Sequence, residues 1–62
     1  MSDTADIEYQ TTSGNWLRSM NVQNRPSMIK SAMEATLKGN PNITKVRAVD
    51  SKTKQLIDIA FK

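Results

Sequence analysis

The sequence contains no cysteine and no histidine. The first absence removes a disulfide framework and a thiolate nucleophile; together they remove the usual ligand cage for zinc. Without histidine there is also no side chain whose ordinary pKa poises it as a general base at neutral pH. Only two glycines occur, too few for a glycine-rich phosphate loop. Long apolar runs are missing too: the longest, Ile59–Phe61, is far short of a membrane span or a signal-peptide core. The first ten residues carry Asp3, Asp6 and Glu8 and no base, the wrong sign for an export leader. The expectation is a soluble, cytoplasmic protein with no cofactor, no metal and no membrane contact. At 62 residues it has room for one small domain.

Charge is present but unevenly placed. Nine Lys/Arg against six Asp/Glu give +3, with three acids and no base in residues 1–15 and nine bases against three acids in residues 16–62. Such polarity suits an acidic partner. The basic residues stand singly, however, which is the pattern of a solvated surface.

Residues 1–5 are polar and aperiodic and are expected to form a disordered N-terminal tail, with a single domain over 6–62. From Ile7 the chain alternates, with Ile7 and Tyr9 on one face and Glu8 and Gln10 on the other, as in a half-buried strand. A second alternating stretch runs from Trp16 to Gln23. Between them Gly14-Asn15 supplies the residues of a two-residue hairpin loop; a three-residue Ser-Gly-Asn loop is the rival. The two-residue loop sets Tyr9 opposite Met20 and Ile7 opposite Val22. Ile7, Tyr9, Trp16, Met20 and Val22 would then share a face.

Asn24-Arg25-Pro26-Ser27 opens a helix over about Pro26 to Lys38, with Asn24 as cap and Pro26 in the first turn. Ile29, Ala32, Met33 and Thr36 fall at i, i+3, i+4 and i+7, an apolar stripe opposite Lys30, Glu34 and Lys38. Gly39 reads as a left-handed stop ahead of Asn40-Pro41. Two further strands follow, Ile43 to Val49 and Gln55 to Phe61, joined by Ser51–Lys54. That register pairs Val49 with Leu56, Arg47 with Asp58, Ala48 with Ile57 and Val46 with Ile59, and it sends Ile57, Ile59 and Phe61 to the core.

The predicted fold is α+β: β-β-α-β-β, a four-stranded antiparallel sheet with a single helix packed on one face. Catalysis finds little footing, since the acids lie at a terminus, on a solvated helix face or beside an arginine, and no concave site is foreseen. The expectation is a non-enzymatic binding or accessory module, of a size met in phage or bacterial proteins. It would act by protein–protein contact, with itself as a homodimer or with another protein, through the uncovered sheet face or an edge. Leu17, Val49 and Leu56 are apolar residues this reading leaves in water, and Arg47 and Trp16 complete the candidate contact set. The alternative is a nucleic-acid-binding module touching phosphates with Arg18, Arg25, Lys45, Arg47, Lys52 and Lys54. Against it, the register turns Tyr9, Trp16 and Phe61 inward, leaving no aromatic stacking platform.

Overall fold

Strand, turn and helix signals resolve into two hairpins around one helix in the computed structural model, which describes residues 3–61. The elements are β1 (Thr4–Thr11), β2 (Trp16–Gln23), α1 (Pro26–Gly39), β3 (Ile43–Asp50) and β4 (Leu56–Phe61). The strands form one antiparallel sheet in the order β2-β1-β3-β4. The first strand therefore lies inside the sheet, hydrogen-bonded on both edges, and the fourth lies at a margin. The strand over Thr4 and Ala5 replaces part of the tail expected at residues 1–5. Ala5 sits between Val22 and Asp50 and is fully buried, so order begins earlier than hydrophobic alternation suggests. Met1 and Ser2 lie outside the described residues.

The helix forms where its stripe predicts. Ile29, Ala32, Met33 and Thr36 are its buried residues, and the first three pack with Ala5, Ile7, Ile43, Val46 and Ala48 into the core. Thr36 settles its hydroxyl by donating to the Ala32 carbonyl at 2.9 Å. Both helix ends differ from the sequence reading. Arg25, not Asn24, is the cap residue; its backbone is extended, as expected before proline, and its side chain makes no capping bond. At the far end Gly39 does not adopt a left-handed conformation; positive φ among the described residues belongs to Gly14 and Lys54. An extended Asn40 ends the helix instead, and its side-chain carbonyl accepts the Asn42 N–H at 2.9 Å.

Both hairpins depart from the expected register, each through a β-bulge. The first loop is longer than two or three residues: the innermost pair is Gln10 with Trp16. Within it the Gly14 N–H donates to the Thr11 carbonyl at 3.2 Å, with Gly14 at φ +86°. A further shift falls between Ile7 and Glu8, so Ile7 faces Met20, Glu8 faces Arg18 and Ser19 has no direct counterpart. Ile7 thus does not pair with Val22, nor Tyr9 with Met20. In an unbroken strand Trp16 and Met20 would share a face; the extra residue between them turns Trp16 to the opposite one.

The second hairpin repeats the device. Val49 faces Leu56 as predicted, but Ala48 then faces Asp58, leaving Ile57 as the additional residue. Arg47 consequently meets Ile59 rather than Asp58, and Val46 meets Ala60 rather than Ile59. Ile57, Ile59 and Phe61, expected in the core, are 37%, 37% and 65% exposed. Ala5, Ile43 and Val49 are buried in their stead. Asp50 anchors the connecting turn: its carboxylate accepts the N–H groups of Lys52 and Thr53, both at 2.9 Å.

Ile7 and Val46 are the largest fully buried side chains. A core of this size supplies about 3–5 kcal/mol, and truncating a buried isoleucine to alanine removes about 2–5 kcal/mol. Ile7→Ala is therefore expected to abolish the cooperative urea transition. Gly14→Ala meets no neighbouring atom within 4 Å, so its penalty is conformational alone, about 1 kcal/mol read from the urea midpoint.

Candidate protein-contact surface

One face of the sheet carries the helix and the other is bare. Alternation along the strands places Glu8 and Gln10 of β1 on the bare face. Around them the register sets Trp16 and Arg18 of β2, Lys45 and Arg47 of β3, and Ile59 and Phe61 of β4. They line up in transverse rows: Trp16–Gln10–Lys45–Phe61, then Arg18–Glu8–Arg47–Ile59. A third row, Asn21–Asp6–Val49–Leu56, lies toward the other end.

Within these rows the charges are largely satisfied by one another. Arg47 Nε donates to Glu8 Oε1 at 2.7 Å while its guanidinium stacks 4.1 Å from the Trp16 ring centroid. The arginine is thereby fixed by a charge-assisted bond and an aromatic face together. Lys45 Nζ lies 5.7 Å over the Phe61 ring. Asp6 is only 4% exposed and accepts from Asn21 Nδ2 at 2.8 Å, Lys54 Nζ at 3.2 Å and Ser51 Oγ at 3.3 Å. Arg18 Nε stands 3.8 Å from the same carboxylate. The Asn21 hydrogen bond is the main cause holding the Asp6 carboxyl below its ordinary 3.8, with Lys54 and Arg18 adding to it against the opposing effect of burial.

The five residues expected to make the contact are not all brought together. Trp16, Arg47 and Leu56 share the bare face. Leu17, opposite Tyr9, turns to the helix side of the sheet near the hairpin end, where it is 47% exposed. Val49 is on the bare face but 4% exposed, so it forms floor rather than contact surface. The first bulge accounts for Leu17, whose place Trp16 takes. Sequence reasoning also missed Ile59 and Phe61, which join Leu56 in an exposed apolar stripe along β4. The run Leu56-Ile57-Asp58-Ile59-Ala60-Phe61 carries no alternation to choose a face, so its only signal was a long apolar strand near a charged turn.

Of the six basic residues considered for nucleic acid, Arg18, Lys45 and Arg47 lie on the bare face, and Lys54 reaches it through Asp6. Arg25 is the helix cap and Lys52 belongs to the β3–β4 turn. The aromatic objection is corrected in part: Trp16 and Phe61 look outward from the bare face, while Tyr9 packs against the core. Among the described residues there is no group of three or more Asp, Glu, His or Cys able to hold a metal, and no helix long and apolar enough to cross a membrane. No protein-family model, curated protein or solved structure matches this chain.

Because the folded Asp6 carboxyl titrates below 3.8, its contribution to stability is complete above about pH 4 and is lost as pH falls through the lowered value. Asp6→Asn is expected to destabilise the fold at neutral pH by about 1–3 kcal/mol, as for a buried charged acceptor, and so to lower Tm. The same substitution should flatten the acid limb of the stability–pH curve measured by thermal unfolding.

Proposed function

We propose that this protein is a non-enzymatic binding module that engages a protein partner through the bare sheet face and its β4 margin. The observation that carries this reading is the apolar stripe Leu56, Ile59 and Phe61, which are 57%, 37% and 65% exposed. A small domain gains nothing in its own stability from leaving three large apolar side chains in water on one strand, and a contiguous patch of this kind is characteristic of a contact site. The arrangement around it has the makeup of an interface, with an aromatic residue and an immobilised arginine, Trp16 and Arg47, beside the stripe. Catalysis has no comparable support. The one buried carboxylate of the bare face, Asp6, is held ionised by its partners and is unsuited to proton transfer near neutral pH.

A nucleic-acid role is the second reading, favoured by the outward aromatics Trp16 and Phe61, which can stack on bases. It ranks lower because Asp6 and Glu8 sit in the middle strand of the same face. There they neutralise Arg18, Lys54 and Arg47 and would repel phosphates.

The test places a photo-crosslinking amino acid at position 61 and, as a control, at Lys38 on the exposed side of α1. Protein adducts are expected from position 61 alone, and they should disappear with Leu56→Lys. Sedimentation over a concentration series tells a second copy from a different protein. A monomer that yields no protein adduct from position 61 overturns the reading. Retention on a polyanion column distinguishes the alternative: elution at low salt is expected, whereas a steep salt dependence would signal displacement of several counterions by phosphate contacts.

A further inference from the structure

The contact stripe borders a second feature, on the opposite side of β4. α1 packs on β1, β2 and β3 and leaves a half-open trough of about 550 Å³ between itself and β4. Ile29, Met33 and Leu37 from the helix and Ile57 and Ala60 from the strand form its apolar lining. Its polar margin is Lys30 and Glu34 on one side and Asp58 on the other. Trough and strand edge are continuous, because Ile57, Asp58 and Ala60 belong to both.

That edge is not bare. The Ile59 N–H donates to the carboxylate of the preceding Asp58 at 2.8 Å. A backbone donor that would otherwise recruit a further strand is thus occupied by a charged side chain, a recognised way of blunting an edge. From this juxtaposition we infer that β4 accepts an extended segment of another protein by antiparallel strand addition, with Asp58 acting as a displaceable guard that selects for a basic residue. The inference rests on the protein-contact reading above and specifies the partner's chemistry.

Three considerations decide the occupant. A second copy pairing β4 with β4 about a twofold axis at Ile59 would set its own Asp58 opposite Ala60, and its own Ala60 opposite Asp58. A carboxylate and a methyl group would then face the trough, leaving its lining uncovered and both charges unpaired. The area is also too small: a six-residue strand is about 20 Å long and a sheet edge about 10 Å deep, or about 200 Å². A stable dimer needs about 800 Å² per partner. A foreign segment can do what the second copy in that register cannot. A large aliphatic residue opposite Ala60 fills the space left by that methyl. A lysine or arginine opposite Asp58 pairs with the carboxylate once the Ile59 N–H has been claimed by the incoming backbone. Its aliphatic stem lies along the trough lining while its charge reaches the margin.

The probe is a synthetic peptide with the core Val-Leu-Val-Lys flanked by threonines, compared with the same peptide carrying Glu for Lys. A third version is N-methylated at the residues whose N–H would point toward β4. Binding to the intact chain is followed by fluorescence anisotropy, and hydrogen exchange reports on the Ile59 amide. The Lys peptide is expected to bind at least about tenfold more tightly than the Glu peptide, a difference of about 1.4 kcal/mol. It should slow exchange at Ile59, and N-methylation should eliminate it as a ligand. In Asp58→Lys the preference should reverse, a result that mere damage to the fold cannot produce. The inference is overturned if neither peptide binds, if the Lys preference survives in Asp58→Lys, or if Ile59 protection arises with protein concentration alone. Should the peptides fail while crosslinking from position 61 persists, strand addition falls and the contact reading stands; should both fail, both fall.

Discussion

A single helix is about 10 Å across with its side chains and neighbouring strands are about 4.8 Å apart, so one helix roofs two or three strands and not four. Most other features of this molecule follow from that mismatch. The helix settles over β1, β3 and β2, where the fully buried Ala5, Ile7, Val46 and Ala48 await it, and β4 is left at the margin, mostly exposed, with Ala60 packed against the core. Among the described residues α1 is the one helix, and the strand it leaves out is rich in large aliphatic side chains. The uncovered strand is therefore a geometric necessity, and its composition is the part that calls for a functional explanation.

The charges obey the same geometry. Asp6 and Glu8 stand on the bare side of a strand that is flanked on both edges, so their partners must come from the strands and turns around them: Arg18 from β2, Arg47 from β3 and Lys54 from the distal turn. Two of the three pairs, Glu8–Arg47 and Asp6–Lys54, tie elements that are distant in sequence. Because Asp6 is almost inaccessible, its ionisation is coupled to folding, whereas the bridges' exposed lysine and arginine heads contribute modestly. Arg47 has an additional constraint from the face of the Trp16 ring.

Much of the architecture was legible in the residues. Pro26, the Ile29–Ala32–Met33–Thr36 spacing and the two alternating stretches give the element order, and the helix buries the residues its periodicity specifies. The facing of the strands was not legible, because a bulge has no sequence signature as plain as a helical stripe. One extra residue at Ser19 moves Trp16 to the bare side and Leu17 to the other. One at Ile57 reorganises the rest of β4. In a strand with period two, a single insertion inverts everything beyond it, and Leu56–Phe61 is apolar at too many positions to betray the inversion. Strand order was beyond reach for another reason: either hairpin could present either edge, and the choice rests on tertiary packing around Ala5 and Ile7. Of the candidate contact residues, Arg47 and Leu56 lie on the face that alternation gives them, Trp16 lies on the opposite one, and the outward placing of Ile59 and Phe61 emerges only from the observed register.

The interior position of β1 has a consequence for how the molecule is assembled. Its β2 partner follows within a few residues, but its other neighbour is far along the chain, with Ile7 meeting Ala48 across the whole helical segment. A nascent polypeptide shorter than β3 thus holds a two-stranded ribbon whose second flank is unoccupied, and such ribbons have scant stability alone. Ring closure between the first and third strands must bear its entropic toll before the helix has a complete floor to rest on. Synthesis has to pass β3 before the first hairpin becomes part of a durable sheet.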